Sequence, residues 1–358
     1  MKKLINIPLF ALSLCVATSC VKDEPVDPVP LGKEITFSTE QTRAVYSSLE
    51  NIKEGFGVYA VMSTKPDDEF TTPADITYEH IISGAGTEGA KVYWDENIGG
   101  FTYDNIAYWN DNRTYHFFGY WPYDTPANMS PSKGYELTFS TVTSVENGNT
   151  VVADDDLLTF NYTTRYVETD PDRVTTVPVE FKHRLSKINL EISQDLVINP
   201  ADYFCVKSVK LTRIQGGGTY SVSNYGDEGE WHHDNDKVIT ILREYPSQKG
   251  DEVISGILGL NTLEVLTDIR LVPQKIANET IALDVIYDYE QGEIGGDRPT
   301  GENAVEMKAS TFLPIGEWKA GKIYTYKMVL YKNNLIEFKN INISTWGEQP
   351  DAGTIIIK

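Results

Sequence analysis

Few residues in this sequence have the types and spacing that catalysis or metal binding requires. Gly84-Ala85-Gly86-Thr87-Glu88-Gly89 fits the letters of a dinucleotide loop, but such a loop must open a helix whose N-terminus faces the pyrophosphate. Here Ala90-Lys91-Val92-Tyr93-Trp94 follows, a strand-like run, so the segment reads as a flexible hairpin loop. Asp154-Asp155-Asp156 and Asp234-Asn235-Asp236 offer oxygen ligands to a hard cation, yet neither has the glycine and distal glutamate of a calcium loop. Both read as solvated turns. His232-His233 is the one histidine pair, and neighbours on a strand point to opposite faces, which splits a shared metal. His80, His116 and His183 stand apart and read as packed or surface side chains. No G-x-S-x-G elbow, H-E-x-x-H pair or P-loop occurs. Among 52 acidic residues some pair falls at a glycosidase spacing by chance, so composition does not test glycan hydrolysis. These residues assign no catalytic group, no metal site and no cofactor.

The cysteines carry a different chemistry. Met1-Lys2-Lys3 is a short basic start, Leu4 to Ala17 is mostly apolar, and Ala17-Thr18-Ser19 leads into Cys20. That order is a secretory signal peptide, too short to be a comfortable membrane span. Ending on Cys20 resembles a lipobox, although Ala17 stands where Leu or Val is usual; Cys20 is then the lipid attachment site. Residues 1–19 are the leader in this reading. Residues 20–33, with Val21-Lys22-Asp23-Glu24-Pro25 and Val26-Asp27-Pro28-Val29-Pro30, form an acidic, proline-rich tether that suits neither helix nor sheet. Lys22-Asp23-Glu24 resembles the charged signals that send some lipoproteins to the outer face of the outer membrane. Cys15 lies in the leader, which leaves Cys205 without an internal disulfide partner. In Tyr203-Phe204-Cys205-Val206 it reads as a buried, inert thiol. The net charge of −21 argues against nucleic acid or an anionic membrane face as a partner, since both need clustered Lys and Arg.

The elements that must position all this read as strands. Glu34-Ile35-Thr36-Phe37, Phe56 to Val61, Thr114 to Tyr120 and Lys322 to Tyr331 are rich in β-branched and aromatic residues. Turn clusters such as Lys65-Pro66-Asp67-Asp68 and Glu146-Asn147-Gly148-Asn149 separate strand runs of this kind. No long segment has helical spacing with caps; Asn199 to Tyr203 offers one short turn. A mature chain of roughly 340 residues exceeds one ordinary core and suggests two domains. Periodicity offers the boundary. Val177, Val179 and Phe181 put odd positions on one face, whereas Ile188, Leu190 and Ile192 put even positions there. One strand cannot do both. Either the chain crosses between two cores near Arg184 to Lys187, which gives domains 34–184 and 185–358, or a bulge lies within one strand. A second slip, from Ile336 and Phe338 to Ile341 and Ile343, predicts a bulge or bend at Lys339-Asn340. Gly292 to Glu302 is a loop by composition.

Twelve aromatics lie between Tyr93 and Tyr123, among them Trp94, Trp109, Phe117, Phe118 and Trp121. Alternation places Tyr115, Phe117 and Trp121 on one face, which fits a core. The alternative is a sugar-stacking platform, which requires at least two of Trp94, Trp109 and Trp121 to be coplanar and exposed.

Taken in order, several segments resemble one family. Ile35-Thr36-Phe37, Thr42-Arg43-Ala44 and Gly55-Phe56-Gly57-Val58-Tyr59-Ala60 are similar to the opening of the fimbrillin-like family. So are Tyr108-Trp109 with Tyr115-His116-Phe117-Phe118-Gly119-Tyr120-Trp121-Pro122, the Asp155-Asp156-Leu157-Leu158 step, Phe181-Lys182-His183-Arg184-Leu185-Ser186-Lys187-Ile188, and Gly321 to Tyr326 with Ile341 to Trp346. The resemblance implies an all-β chain of two transthyretin-like β-sandwich domains in tandem, forming a non-enzymatic subunit of a cell-surface fimbrium. Its expected partners are other fimbrial subunits, joined by strand exchange, an outer-membrane lipid anchor through Cys20, and a surface trypsin-like protease. The same resemblance implies cleavage at Arg43-Ala44 and displacement of the strand carrying Ile35 and Phe37. Thr354-Ile355-Ile356-Ile357-Lys358 reads either as a donor strand or as the last strand of the second domain. Shaft, tip and anchor roles remain open at this point, as does a surface lipoprotein that binds glycans without polymerising.

Overall fold

The computed structural model describes residues 32–38, 49–72, 75–86, 88–130, 134–146, 149–152, 156–194, 202–223, 228–245, 262–293, 296, 299–346 and 353–356. The chain is all-β. Leu49–Glu54 is the one α-helix among the described residues, with a 3-10 turn at Asp67–Glu69. No helix among them is long and apolar enough to cross a membrane. Lys33–Lys358 cluster as one compact unit.

A seven-stranded sheet dominates residues 56–183. Its order is Lys182–His183, Leu158–Tyr166, Arg113–Trp121, Phe56–Ser63, Ala90–Asp95 and Gly100–Thr102, with Tyr78–Ile82 also paired to Phe56–Ser63. Alternation sorts its side chains onto two faces. Phe56, Val58, Ala60 and Met62, with Tyr115 and Phe117, join one buried cluster. Tyr59 and Val61, with Phe118 and Tyr120, join another. The predicted face of Tyr115, Phe117 and Trp121 is thus present, with Trp121 partly buried against the first cluster. Its reverse side is buried as well, so the sheet is covered on both faces. Close packing needs small residues here: a Cβ on Gly119 would lie 1.9 Å from Phe160 Cε1, so only glycine leaves room for that ring against the strand.

The second cover is a four-stranded sheet ordered Glu230–His233, Gly217–Val222, Gly134–Ser140 and Ala127–Ser130. It draws on both halves of the chain, pairing Leu137 with Tyr220. Further along, a five-stranded sheet orders Leu263–Leu271, Ser186–Gln194, Lys322–Leu330, Ile336–Thr345 and Gly353–Ile356, and a four-stranded sheet orders Val238–Glu244, Tyr203–Gln215, Ala282–Glu290 and Val305–Phe312. Together these two supply one cluster that includes Ile188, Leu190, Val209, Leu283 and Tyr326.

The phase slips now have physical forms. His183 pairs with Leu158 in the seven-stranded sheet, and Ser186 pairs with Leu271 in the five-stranded one. Val177, Val179 and Phe181 are buried in one cluster, and Ile188, Leu190 and Ile192 in another. The chain changes sheet at that point. Near the C-terminus, Lys327 faces Asn340 but Met328 faces Phe338. Lys339 is therefore the extra residue of a bulge, as its neighbours' periodicity predicts.

One expectation needs correcting. Gly84 to Gly89 does not close a hairpin. Tyr78–Ile82 and Ala90–Asp95 both run antiparallel to Phe56–Ser63, along successive stretches of it. The glycine-rich segment is an excursion between two pieces lying on the same neighbour, closed by Gly84 N–H donating to Glu88 O at 2.9 Å. Of the short turn expected at Asn199 to Tyr203, residues 199–201 lie outside the described residues, and Tyr203 is already in a strand.

Candidate strand-exchange groove

The first described strand, Thr36–Ser38, is held by main-chain bonds at both ends. Trp109 N–H donates to Lys33 O (2.8 Å), Ile35 N–H to Ala107 O (2.9 Å), and Val179 N–H to Ser38 O (2.8 Å). Glu34 forms an antiparallel bridge with Tyr108. Beyond it the pairing is parallel, with Thr36, Phe37 and Ser38 opposite Thr176, Val177 and Pro178. The hydroxyls of Thr36 and Thr176 lie 3.0 Å apart.

Period-two geometry sends Ile35 and Phe37 inward and leaves Thr36 and Ser38 half-buried. Ile35 is 1% exposed and Phe37 4%. Three rings meet Phe37 edge-on: Phe56 at 6.3 Å, Tyr103 at 5.6 Å and Phe117 at 6.2 Å between centroids. Tyr103 also grips the backbone. Its hydroxyl donates to Ile35 O (3.1 Å) and accepts from Ala107 N–H (3.2 Å). Burial pushes that hydroxyl up to about 12, so it stays protonated and able to donate. Each buried side chain contributes about 1.5–3 kcal/mol from area alone, and the strand's few main-chain bonds add a modest net amount. The arrangement is a short strand seated in a groove by two large side chains.

The other expected site residues fall elsewhere. Cys20, Arg43 and Ala44 lie outside the described residues. Sequence reasoning missed the groove's walls, Tyr103, Ala107 to Trp109 and Thr176 to Val179, because parallel pairing across 140 residues leaves no local signal. Cys205 is buried, and burial pushes its thiol up, away from the reactive thiolate.

Two polar readings change. Asp156 is 7% exposed, so it is no solvated turn. Its carboxylate bonds His183 Nδ1 and accepts Leu157 N–H at 2.8 Å. His183, which stands alone in the sequence, has Trp346 stacked on it at 4.0 Å and 8°. A buried carboxylate needs such a partner, and this one ties the sheet change to the closing strands. The glycan platform loses one of its three rings. Trp109 is 2% exposed and stacks on Tyr166, while Trp94 and Trp121 are partly buried against the same cluster. Among the described residues no group of three or more His, Cys, Asp or Glu is placed to hold a metal ion. The polar cleft lined by Asn189, Glu191, Glu264 and Asp268 has Lys327 on Glu191 and Lys187 on Asp268.

Comparison with known proteins decides the family. A family model described as fimbrillin-like matches residues 42–346. The chain belongs to the fimbrillin-like family. That match begins at Thr42, beyond Ile35 to Phe37. Among solved structures, the fimbrillin-like chain is similar to a fimbrial protein from Bacteroides vulgatus at 16% identity, covering 88% of this chain and 99% of the other with a TM-score of 0.53. It is also similar to a candidate cell adhesion protein from Bacteroides uniformis (16% identity, 88% and 98% coverage, TM-score 0.47). A third is a fimbrial assembly protein from Parabacteroides distasonis (10% identity, 91% and 99% coverage, TM-score 0.34). At such identities the likeness to the first is one of fold. No curated protein matches this fimbrillin-like chain.

Proposed function

We propose that this fimbrillin-like protein is a structural, non-enzymatic subunit of a cell-surface fimbrium that assembles by donor-strand exchange and supports adhesion. Membership of the family, and a fold shared with a fimbrial protein, support the fimbrial role and the cell-surface location. In this reading 1–19 is removed on export and Cys20 is lipidated at the outer membrane, with 20–33 as tether. Residues 34–184 and 185–358 are the two sandwich domains. A surface trypsin-like protease then hydrolyses the Arg43–Ala44 bond, which leaves the strand bearing Ile35 and Phe37 held by non-covalent contacts alone. A strand from a neighbouring subunit replaces it.

The observation that carries this proposal is the seating of the opening strand. It contributes two nearly fully buried side chains to the core, yet few main-chain bonds hold it. Its loss would uncover Phe56, Tyr103 and Phe117 along one track. An unpaired edge with vacant alternate pockets is what β-augmentation fills.

Limited trypsin digestion of the full chain tests it. The expected result is a shortened product beginning at Ala44, accompanied by oligomers on size-exclusion chromatography. Protein that stays full length, or is cut there and remains strictly monomeric, contradicts the proposal.

A further inference from the structure

We infer that the groove selects its incoming strand by side-chain type: a β-branched aliphatic residue followed two positions later by an aromatic one. This rests on the strand-exchange reading above and names the partner's chemistry. The resident strand supplies the template. Ile35 and Phe37, two apart, are its only deeply buried side chains. Ile35 lies where Tyr103 caps its carbonyl and where its own N–H bonds Ala107, so the backbone is fixed in register at that point. Two residues on, Phe37 stands among three rings at interplanar angles of 89°, 68° and 86°. Edge-to-face contact of this kind belongs to aromatic side chains. An aliphatic residue there forfeits the ring contacts and leaves part of the pocket unfilled, and a close-packed interior does not collapse fully around such a gap.

The chain's own segment Gly353-Thr354-Ile355-Ile356-Ile357-Lys358 contains no aromatic residue. Its residues Gly353–Ile356 pair antiparallel with Ile336–Thr345 on the five-stranded sheet, with Ile355 opposite Ile341. Either alternation phase of that segment offers the Phe37 position an isoleucine at best. The preferred occupant is therefore a neighbouring subunit's strand bearing the aliphatic-x-aromatic pair, rather than its 353–358 segment.

Fluorescently labelled peptides offered to the full chain cleaved after Arg43 test the inference. The arms are residues 33–38, the same peptide with Phe37→Ile, the same peptide with Ile35→Ala, and residues 353–358. The native peptide is expected to bind at least tenfold more tightly than the Phe37→Ile peptide and the 353–358 peptide. Equal binding of these three, within twofold, overturns the selectivity while leaving strand exchange intact. Binding by none of the four overturns strand exchange, and the selectivity with it. Phe37→Ile in the uncut chain reads the same pocket without cleavage. A lowered melting temperature is expected, and an unchanged one overturns the aromatic preference.

Discussion

Single side chains in this protein serve packing, and their titration follows from that. His116 is 9% exposed, with Nδ1 2.8 Å from Thr163 Oγ1 and Tyr78 edge-on at 4.8 Å. Burial pulls its imidazole down from 6.5 to about 4, with Asp67 opposing the shift. The folded chain thus keeps His116 neutral in a range where the unfolded chain protonates it. Stability falls as pH drops from about 6.5 towards about 4, by on the order of 3 kcal/mol in total for this group. Urea unfolding midpoints at pH 7 and pH 5 check this: His116→Gln should shrink the difference between them, and an undiminished difference refutes the assignment. Such residues are only half legible in a sequence. Tyr115, Phe117 and Trp121 announce one buried face by alternation, but Phe118 and Tyr120 on the reverse do not reveal that a second sheet covers them. Asp156 and His183 are 27 positions apart, and nothing in their surroundings marks them as a pair.

At the level of elements, the pattern of burial explains which sequence signals were readable. Strands with strong alternation, such as Lys322–Leu330, lie where their periodicity puts them. Phase slips were equally informative, because side-chain period two forbids a strand to change face without a bulge or a change of sheet. One slip is the bulge at Lys339 and the other a change of sheet between His183 and Ser186. Pairing partners were not readable. Thr36–Ser38 meets Thr176–Pro178, and Gly134–Ser140 meets Gly217–Val222, joins that depend on the whole topology. Close approach between strands was hidden too. Phe160 is opposite Gly119 in the ladder and lies over it. Gly119→Ala should cost about 1–3 kcal/mol, because Phe160 is 1% exposed and has nowhere to move. Gly100, with nothing within 4 Å of its Cβ position, is the control. Equal melting temperatures for the two alanine variants would show that the ring can shift.

For the whole molecule, the fimbrillin-like fold is compatible with the strand-exchange assembly proposed above. The central sheet is sandwiched between two covers. One is a sheet shared by both halves of the chain, continuous with the body of the molecule. The other includes the opening strand, which lies early in the chain and is seated chiefly by Ile35 and Phe37. In the proposed exchange, replacing that strand breaks no pairing within the central sheet or the shared sheet, so assembly need not unfold the subunit. The most direct test is the N-terminal residue of this protein in high-molecular-weight material released from the cell surface. Ala44 is the predicted start. If that material instead carries chains that begin at Cys20 and retain Ile35 and Phe37 in covalent continuity, the opening strand is not the exchanged element.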